Sequence, residues 1–184
     1  LPNDFGSAEG FAGNEAAMSI EEISKEYCDW AKRLKGKFYT FIGVNPLRGK
    51  MAVELLEKGV KEWGAKGLKL LPHTGFYPND RICYPLYEKC VELGVPVIIH
   101  TGAGIFRYSK YAHPVHMEEP ALDFRELEFI AAHAGGGIGE LWQEACTVAR
   151  YVPNINLELG QVAPTVIRGG FRGPKGRYKD HIPQ

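Results

Sequence analysis

The sequence lacks a net charge, a long apolar run and a paired cysteine motif, and each absence excludes a class of function. Lys+Arg and Asp+Glu both number 22, so the formal net charge is zero and nothing favours a nucleic-acid or anionic-membrane partner. No apolar run approaches the roughly 20 residues of a membrane-spanning helix, and no signal peptide is visible. The chain begins without Met, so we expect residues before Leu1. A cytoplasmic protein is the resulting expectation.

The four cysteines show no CxxC spacing and mostly fall in stretches with amphipathic helical character: Cys28, Cys83, Cys90 and Cys146. We interpret them as small core residues in a reducing compartment rather than as disulfide partners.

Two apolar stretches that end on histidine and glycine are the strongest functional signal. Val95-Pro96-Val97-Ile98-Ile99-His100-Thr101-Gly102 is an unbroken, mostly β-branched run, which is typical of a buried strand in a parallel sheet. Phe129-Ile130-Ala131-Ala132-His133-Ala134-Gly135 repeats this design. Parallel α/β folds place their chemistry at the carboxyl ends of strands. We therefore expect His100 and His133 to share one rim.

The remaining pattern alternates helices and strands, with strand starts about 30 residues apart. Ser19 and Glu22 match a capping box at the start of the first helix. The predicted helices run from Ser19 to Gly36, Lys50 to Trp63, Cys83 to Leu93 and Ile138 to Arg150. The predicted strands begin near residues 38, 67, 95, 127 and 155, the first covering Phe38 to Val44 and the last Ile155 to Leu159.

This βαβ rhythm predicts a parallel sheet with right-handed crossovers, and two architectures fit it. An open doubly wound sheet would be complete with five strands. A (β/α)₈ barrel needs about 250 residues, so this chain would supply part of one. Gly135-Gly136-Gly137 follows a strand, but it lacks the spacing of a dinucleotide-binding turn, which disfavours a nucleotide-binding open sheet.

Histidine is the usual zinc ligand and the usual general base near neutral pH. Two of them at the ends of separate core strands, His100 and His133, predict a shared catalytic or metal role. His73, just after the Gly67–Leu71 strand, is a third candidate. Lys69 lies within that strand. An inward Lys69 could pair with a substrate anion or serve as a ligand after carboxylation, but we favour the alternative that it lies on the outward face or at the bottom of the sheet.

A long segment between the two histidine strands carries a cation, aromatic residues and two further histidines. Long loops at the functional face are usually lids or binding loops, so this segment suits an anionic or aromatic substrate. The predicted substrate-binding residues are His73, Arg107, Tyr111 and His113. The Gly- and Arg-rich residues 162–184 are interpreted as a loop, with an anion-binding or oligomer-contacting arm as the alternative.

Several pieces in order resemble the amidohydrolase superfamily, in the branch of aminocarboxymuconate-semialdehyde decarboxylase and γ-resorcylate decarboxylase. The resemblance covers about Phe38 to Gly160. It is carried by Gly67-Leu68-Lys69-Leu70-Leu71-Pro72-His73, Phe76-Tyr77-Pro78-Asn79-Asp80, Tyr84-Pro85-Leu86-Tyr87-Glu88-Lys89, Val97-Ile98-Ile99-His100-Thr101-Gly102, Ala112-His113-Pro114, Asp123-Phe124-Arg125-Glu126-Leu127 and Ala132-His133-Ala134-Gly135-Gly136.

The resemblance implies a (β/α)₈ TIM barrel of the metal-dependent hydrolase type, with one divalent metal, zinc or alternatively manganese or magnesium. His100 matches the fifth-strand metal ligand, and His133 matches the sixth-strand catalytic histidine. The family's first-strand His-x-His and eighth-strand Asp have no counterpart here. We therefore expect an incomplete version of a longer enzyme: one partial barrel over 1–184, with a loop and helix at 1–36, five βα units (barrel strands three to seven) at 37–161, and a loop at 162–184.

The leading functional hypothesis is a metal-dependent hydrolase in which metal-activated water attacks a small organic substrate, a carboxylate or an aromatic compound. A non-oxidative decarboxylase of an aromatic or unsaturated carboxylic acid is the alternative, because it needs nearly the same site. A catalytically inactive partial barrel that serves as an interaction module is the hypothesis from another class. We also expect a homodimer or higher homo-oligomer.

Overall fold

A computed structural model of the chain describes residues 3–4, 18–102, 108–136 and 141–160. Arg107, most of the N-terminal loop and the predicted loop at 162–184 lie outside these residues. In the described ranges, no helix has both the length and the apolar character needed to cross a membrane.

Five parallel strands form one sheet in sequential order, β1-β2-β3-β4-β5. Their bounds are Ile42–Gly43 for β1, Leu68–Leu70 for β2, Val97–His100 for β3, Phe129–Ala132 for β4 and Ile155–Leu157 for β5. A doubly wound sheet would reverse its strand order partway. The sequential order therefore makes this sheet part of a (β/α)₈ barrel, as the resemblance implies.

Helices connect the strands and cover one face of the sheet. They are α1 Ile20–Arg33, α2 Lys50–Lys61, α3 Tyr84–Leu93, α4 Glu118–Asp123 and α5 Leu141–Tyr151. The predicted capping box begins α1: the backbone N–H of Glu22 donates to the Ser19 hydroxyl at 3.2 Å, and the Ser19 N–H donates to the Glu22 carboxylate at 2.8 Å. Gly94 ends α3 in the left-handed conformation, as expected.

Two local predictions need correction. The strand expected from Phe38 to Val44 is reduced to Ile42–Gly43, the two residues that pair in register with Leu68 and Lys69 of β2. The segment between His100 and His133, expected to be a loop, contains the short helix α4 and 3₁₀ turns at Ser109–Ala112 and Pro114–Met117. Such short turns leave no helical period in the sequence.

The two faces of the sheet differ in chemistry because side chains alternate along each strand. One face packs against the helices and includes Leu68, Leu70, Val97, Ile99 and Phe129, all of them fully buried. Register partners run across the other, inner face in a single row: Gly43, Lys69, Ile98, Ile130 and Asn156. All four cysteines are free, and three of them are buried, as predicted.

Candidate active site

Three histidines lie in a row at the carboxyl edge of the sheet. His73 follows β2, His100 is the last residue of β3, and His133 follows β4. The ring centroids of His73 and His100 are 4.7 Å apart, and those of His100 and His133 are also 4.7 Å apart. The prediction that His100 and His133 share one rim is confirmed, while their separate roles stay predictions.

The backbone of His133 is strained. Its φ is +67°, and that of Ala134 is +44°, in a region that costs a residue with a Cβ about 1–2 kcal/mol. The His133 N–H donates to Oε2 of Glu158 at 3.1 Å. The Gly160 N–H donates to the other oxygen of the same carboxylate. Glu158 thus holds the turn that aims the His133 ring, and strain of this kind is typical of functional positions.

The hydrogen bonding of His133 determines which ring nitrogen carries the proton. Nδ1 lies 2.8 Å from the carbonyl oxygen of Gly160. Because a carbonyl can only accept, Nδ1 must be the protonated nitrogen, and the neutral ring has its lone pair on Nε2. His133 is thereby prepared to take up a proton at Nε2.

The turns after β3 and β4 interlock and bring the two rings together. The Thr101 hydroxyl donates to the carbonyl of Ala132 at 2.8 Å and accepts the N–H of Gly135 at 2.8 Å. Gly102 has φ +89°, and any Cβ there would overlap the backbone of Gly136. Only glycine permits this approach.

His73 is 1% exposed. Burial lowers its pKa, which favours the neutral ring, against the effect of the hydrogen bond from Nε2 to the Gly102 carbonyl at 3.1 Å. Its substrate contact stays a prediction. The visible role of His73 is to pack its ring against that of His100.

Lys69 lies on the inner face, so the preferred interpretation of an outward or bottom position is wrong. The side chain is 6% exposed. Burial lowers the pKa of its amine to about 7, opposed by the negative charge of Glu158. The sequence carried the signal: Lys69 lies between Leu68 and Leu70, which face the helices, and alternation therefore turns the lysine inward.

Sequence reasoning missed Glu158. Ile155, Leu157 and Leu159 alternate with Asn156 and Glu158, and this period of two places Glu158 on the inner side at the end of β5. What alternation could not reveal was the contact with His133, because that contact spans 25 residues and depends on β4 pairing with β5.

Aromatic side chains from the connecting segment form a cluster with Tyr77. The ring centroids of Tyr77 and Tyr111 are 4.5 Å apart, and those of Tyr77 and His116 are 4.7 Å apart. His113 faces Glu144, with Nδ1 3.6 Å from the carboxylate. Substrate binding by Tyr111 and His113 stays a prediction, and Arg107 lies outside the described residues.

The described residues do not complete a metal site. Within them, no group of three or more His, Cys, Asp or Glu side chains is arranged to hold an ion, whereas a structural zinc site uses four protein ligands and a catalytic one usually three. His100 and His133 can supply part of a donor set only. The predicted zinc, with manganese or magnesium as alternatives, therefore stays a prediction.

Comparison with known proteins finds one protein of similar sequence and several solved structures of similar fold. The chain is 35% identical over 105 residues to 2-keto-4-carboxy-3-hexenedioate hydratase of a Sphingobium species, which covers 47% of this chain and 31% of that protein. A TIM-barrel protein of Bordetella bronchiseptica superposes with a TM-score of 0.61 at 24% identity, over 86% of this chain and 57% of that one.

Another structure of similar fold is the 5-carboxyvanillate decarboxylase of Novosphingobium aromaticivorans, solved with manganese and 4-hydroxy-3-methoxy-5-nitrobenzoic acid. Its TM-score is 0.55 at 16% identity, over 80% of this chain and 55% of that enzyme. The chain thus spans between about one third and three fifths of the length of these relatives. The family model described as Amidohydrolase matches residues 5–181. The chain belongs to the amidohydrolase family.

Proposed function

We propose that this chain forms part of the active site of a metal-dependent lyase that acts on an aromatic or unsaturated carboxylic acid, with His133 as the proton-transfer group. The observation that carries the proposal is the hydrogen bond from His133 Nδ1 to the Gly160 carbonyl, which leaves Nε2 free to exchange a proton. The relatives add support, because one is a hydratase and another a decarboxylase of an aromatic acid.

Both lyase reactions use the same proton transfer in opposite directions. In a decarboxylation, protonated Nε2 gives its proton to the substrate carbon, the bond from that carbon to the carboxylate breaks, and carbon dioxide leaves. In a hydration, neutral Nε2 takes a proton from water, the oxygen joins one carbon of the double bond, and Nε2 then gives that proton to the other carbon. A positioned base of this kind contributes about 10²–10⁴-fold to the rate.

The proposal includes a divalent metal with His100 as one of its ligands, the others coming from outside the described residues. Such an ion lowers the pKa of bound water and polarises substrate oxygens. Hydrolysis is the second candidate, favoured by membership of the amidohydrolase family. There His133 would take the proton from the water that attacks a carbonyl carbon.

The test is a substrate panel with the purified protein in the presence of Mn²⁺ or Zn²⁺. The panel contains 5-carboxyvanillate and 2-keto-4-carboxy-3-hexenedioate, the substrates named for the relatives, together with small lactones and amides. Carbon dioxide release or loss of the conjugated double bond supports a lyase, and acid release from lactones or amides alone supports a hydrolase. The His133→Gln variant should fold normally and lose activity by about 10²–10⁴-fold. A protein that binds no metal and turns over nothing would instead support the inactive module.

A further inference from the structure

Lys69 is a buried lysine on the inner face of the sheet, and the proton transfer proposed for His133 does not involve it. Its partners in the same inner row, Ile98 and then Ile130, show that this row accommodates apolar side chains. In the ranges that the structure describes, the Lys69 amine makes no hydrogen bond and no ion pair. Burying an amine without a partner is unfavourable, so a leucine or methionine would serve folding better. Such a group at a candidate site is a signature of function.

The surroundings of Lys69 indicate the charge of the missing partner. Burial lowers the pKa of the amine, while Glu158 raises it and favours the charged form. The two oxygens of Glu158 already accept the backbone N–H groups of His133 and Gly160. A negatively charged ligand group would give Lys69 the partner that the described residues do not.

The position of Lys69 indicates which ligand group that is. Lys69 pairs in register with Ile98, which lies two residues before His100 on the same face. At about 3.3 Å per residue, the Lys69 backbone begins roughly 7 Å deeper in the barrel than the histidine row. The lysine side chain is long enough to bring its amine up toward that row, where the charge of Glu158 acts on it, so a group bound by Lys69 lies next to the group that reacts beside His133.

We propose that Lys69 binds a second carboxylate of the substrate and thereby selects dicarboxylates over monocarboxylates. This inference rests on the proposed function in that the first carboxylate lies at the histidine row. The contact is a charge-assisted hydrogen bond from the ammonium group to a carboxylate oxygen, one of the stronger polar contacts in proteins.

The test compares two probes that differ only at the second acid group, isophthalate and 3-carbamoylbenzoate, by titration calorimetry of the purified protein. The wild type should bind isophthalate about 10–100-fold more tightly than the carbamoyl compound. Lys69→Met should abolish this preference, whereas Lys69→Arg should keep most of it because arginine also binds carboxylates. Lys66→Met, at an exposed lysine in the turn before β2, is the matched control and should behave as the wild type.

Three results would overturn the proposal: no binding of isophthalate by the wild type, equal binding of both probes, or an unchanged preference in Lys69→Met. A ¹³C carbamate signal on Lys69 in bicarbonate buffer would also overturn it, because a carboxylated lysine is itself an anion. Binding needs no turnover. A protein that prefers isophthalate but converts no acid would contradict the proposed function and leave the role of Lys69 intact.

Discussion

Replacing Glu158 by glutamine should test how the His133 ring is aimed. The carboxylate accepts the N–H of His133 and that of Gly160, one on each oxygen. Glutamine keeps a single acceptor oxygen and turns an NH₂ group toward one of these two donors. Because a donor then faces a donor, we expect the turn to open on one side and the carbonyl of Gly160 to leave Nδ1 of His133.

The expected loss of stability follows from the lost hydrogen bond. A hydrogen bond to a charged group contributes about 1.5–3 kcal/mol when it is sheltered. The Glu158 side chain is 42% exposed, which favours a smaller loss, about 1 kcal/mol in the free energy of unfolding. The effect on rate should be larger, about 10–100-fold, since a displaced base loses part of the 10²–10⁴-fold that general base catalysis contributes.

The tautomer of the His133 ring can be measured directly by NMR. In protein with ¹⁵N-labelled histidine, the ring nitrogen shifts distinguish a protonated from a bare nitrogen. The wild type should show His133 protonated at Nδ1, and Glu158→Gln should show a mixture of both tautomers. Glu128→Gln is the matched control, because Glu128 is an exposed acid before β4 that accepts a hydrogen bond from Asn156 at 2.6 Å. A wild-type tautomer together with wild-type turnover in Glu158→Gln would refute the positioning role.

Three further predictions concern the metal ligands, the close backbone approach at Gly102 and the buried amine of Lys69. His100→Ala should lose metal and activity together, whereas His133→Ala should keep the metal and lose about 10²–10⁴-fold in rate. If metal analysis finds no metal in the His133→Ala protein, both residues are ligands. Gly102→Ala should lower the free energy of unfolding in urea by about 2 kcal/mol or more, because its Cβ overlaps backbone. Gly36→Ala, at a similar φ but in open space, should lose about 1 kcal/mol; equal losses would exclude the overlap as the cause. Lys69 has a folded-state pKa of about 7 and an ordinary value of 10.5, so the unfolded chain binds more protons between these values and the stability of the wild type should rise from pH 7 to 10.5. Lys69→Met should lack that rise in urea unfolding, and a parallel rise in both proteins would contradict the assigned burial.

The sequence was sufficient to predict the elements that present the histidines. Apolar runs that end in His-Thr-Gly and His-Ala-Gly became β3 and β4, with His100 as the last residue of β3 and His133 directly after β4. The capping box at Ser19 was equally local and equally correct. These features depend on residues that are close in the chain, where hydrophobic pattern and capping chemistry act.

Strand order could not be predicted in the same way. A five-strand βαβ pattern is common to a doubly wound sheet and to part of a barrel, because the local pattern does not determine which strands pair. The contact of Glu158 with His133 belongs to the same category. By contrast, the inward direction of Lys69 was available from the alternation with Leu68 and Leu70, and it was missed by giving more weight to the usual exposure of lysine.

The order of the strands brings the residues of both proposals to the same face of the sheet. Pairing of β4 with β5 brings Glu158 and Gly160 to His133, and this neighbourhood would also survive in a doubly wound order such as 2-1-3-4-5. Pairing of β2 with β3 would not survive in that order, yet it is the pairing that sets Lys69 beside Ile98 and His73 beside His100. The proton-transfer role of His133 therefore needs only the β4–β5 half of the sheet, whereas selection of a dicarboxylate by Lys69 needs the barrel.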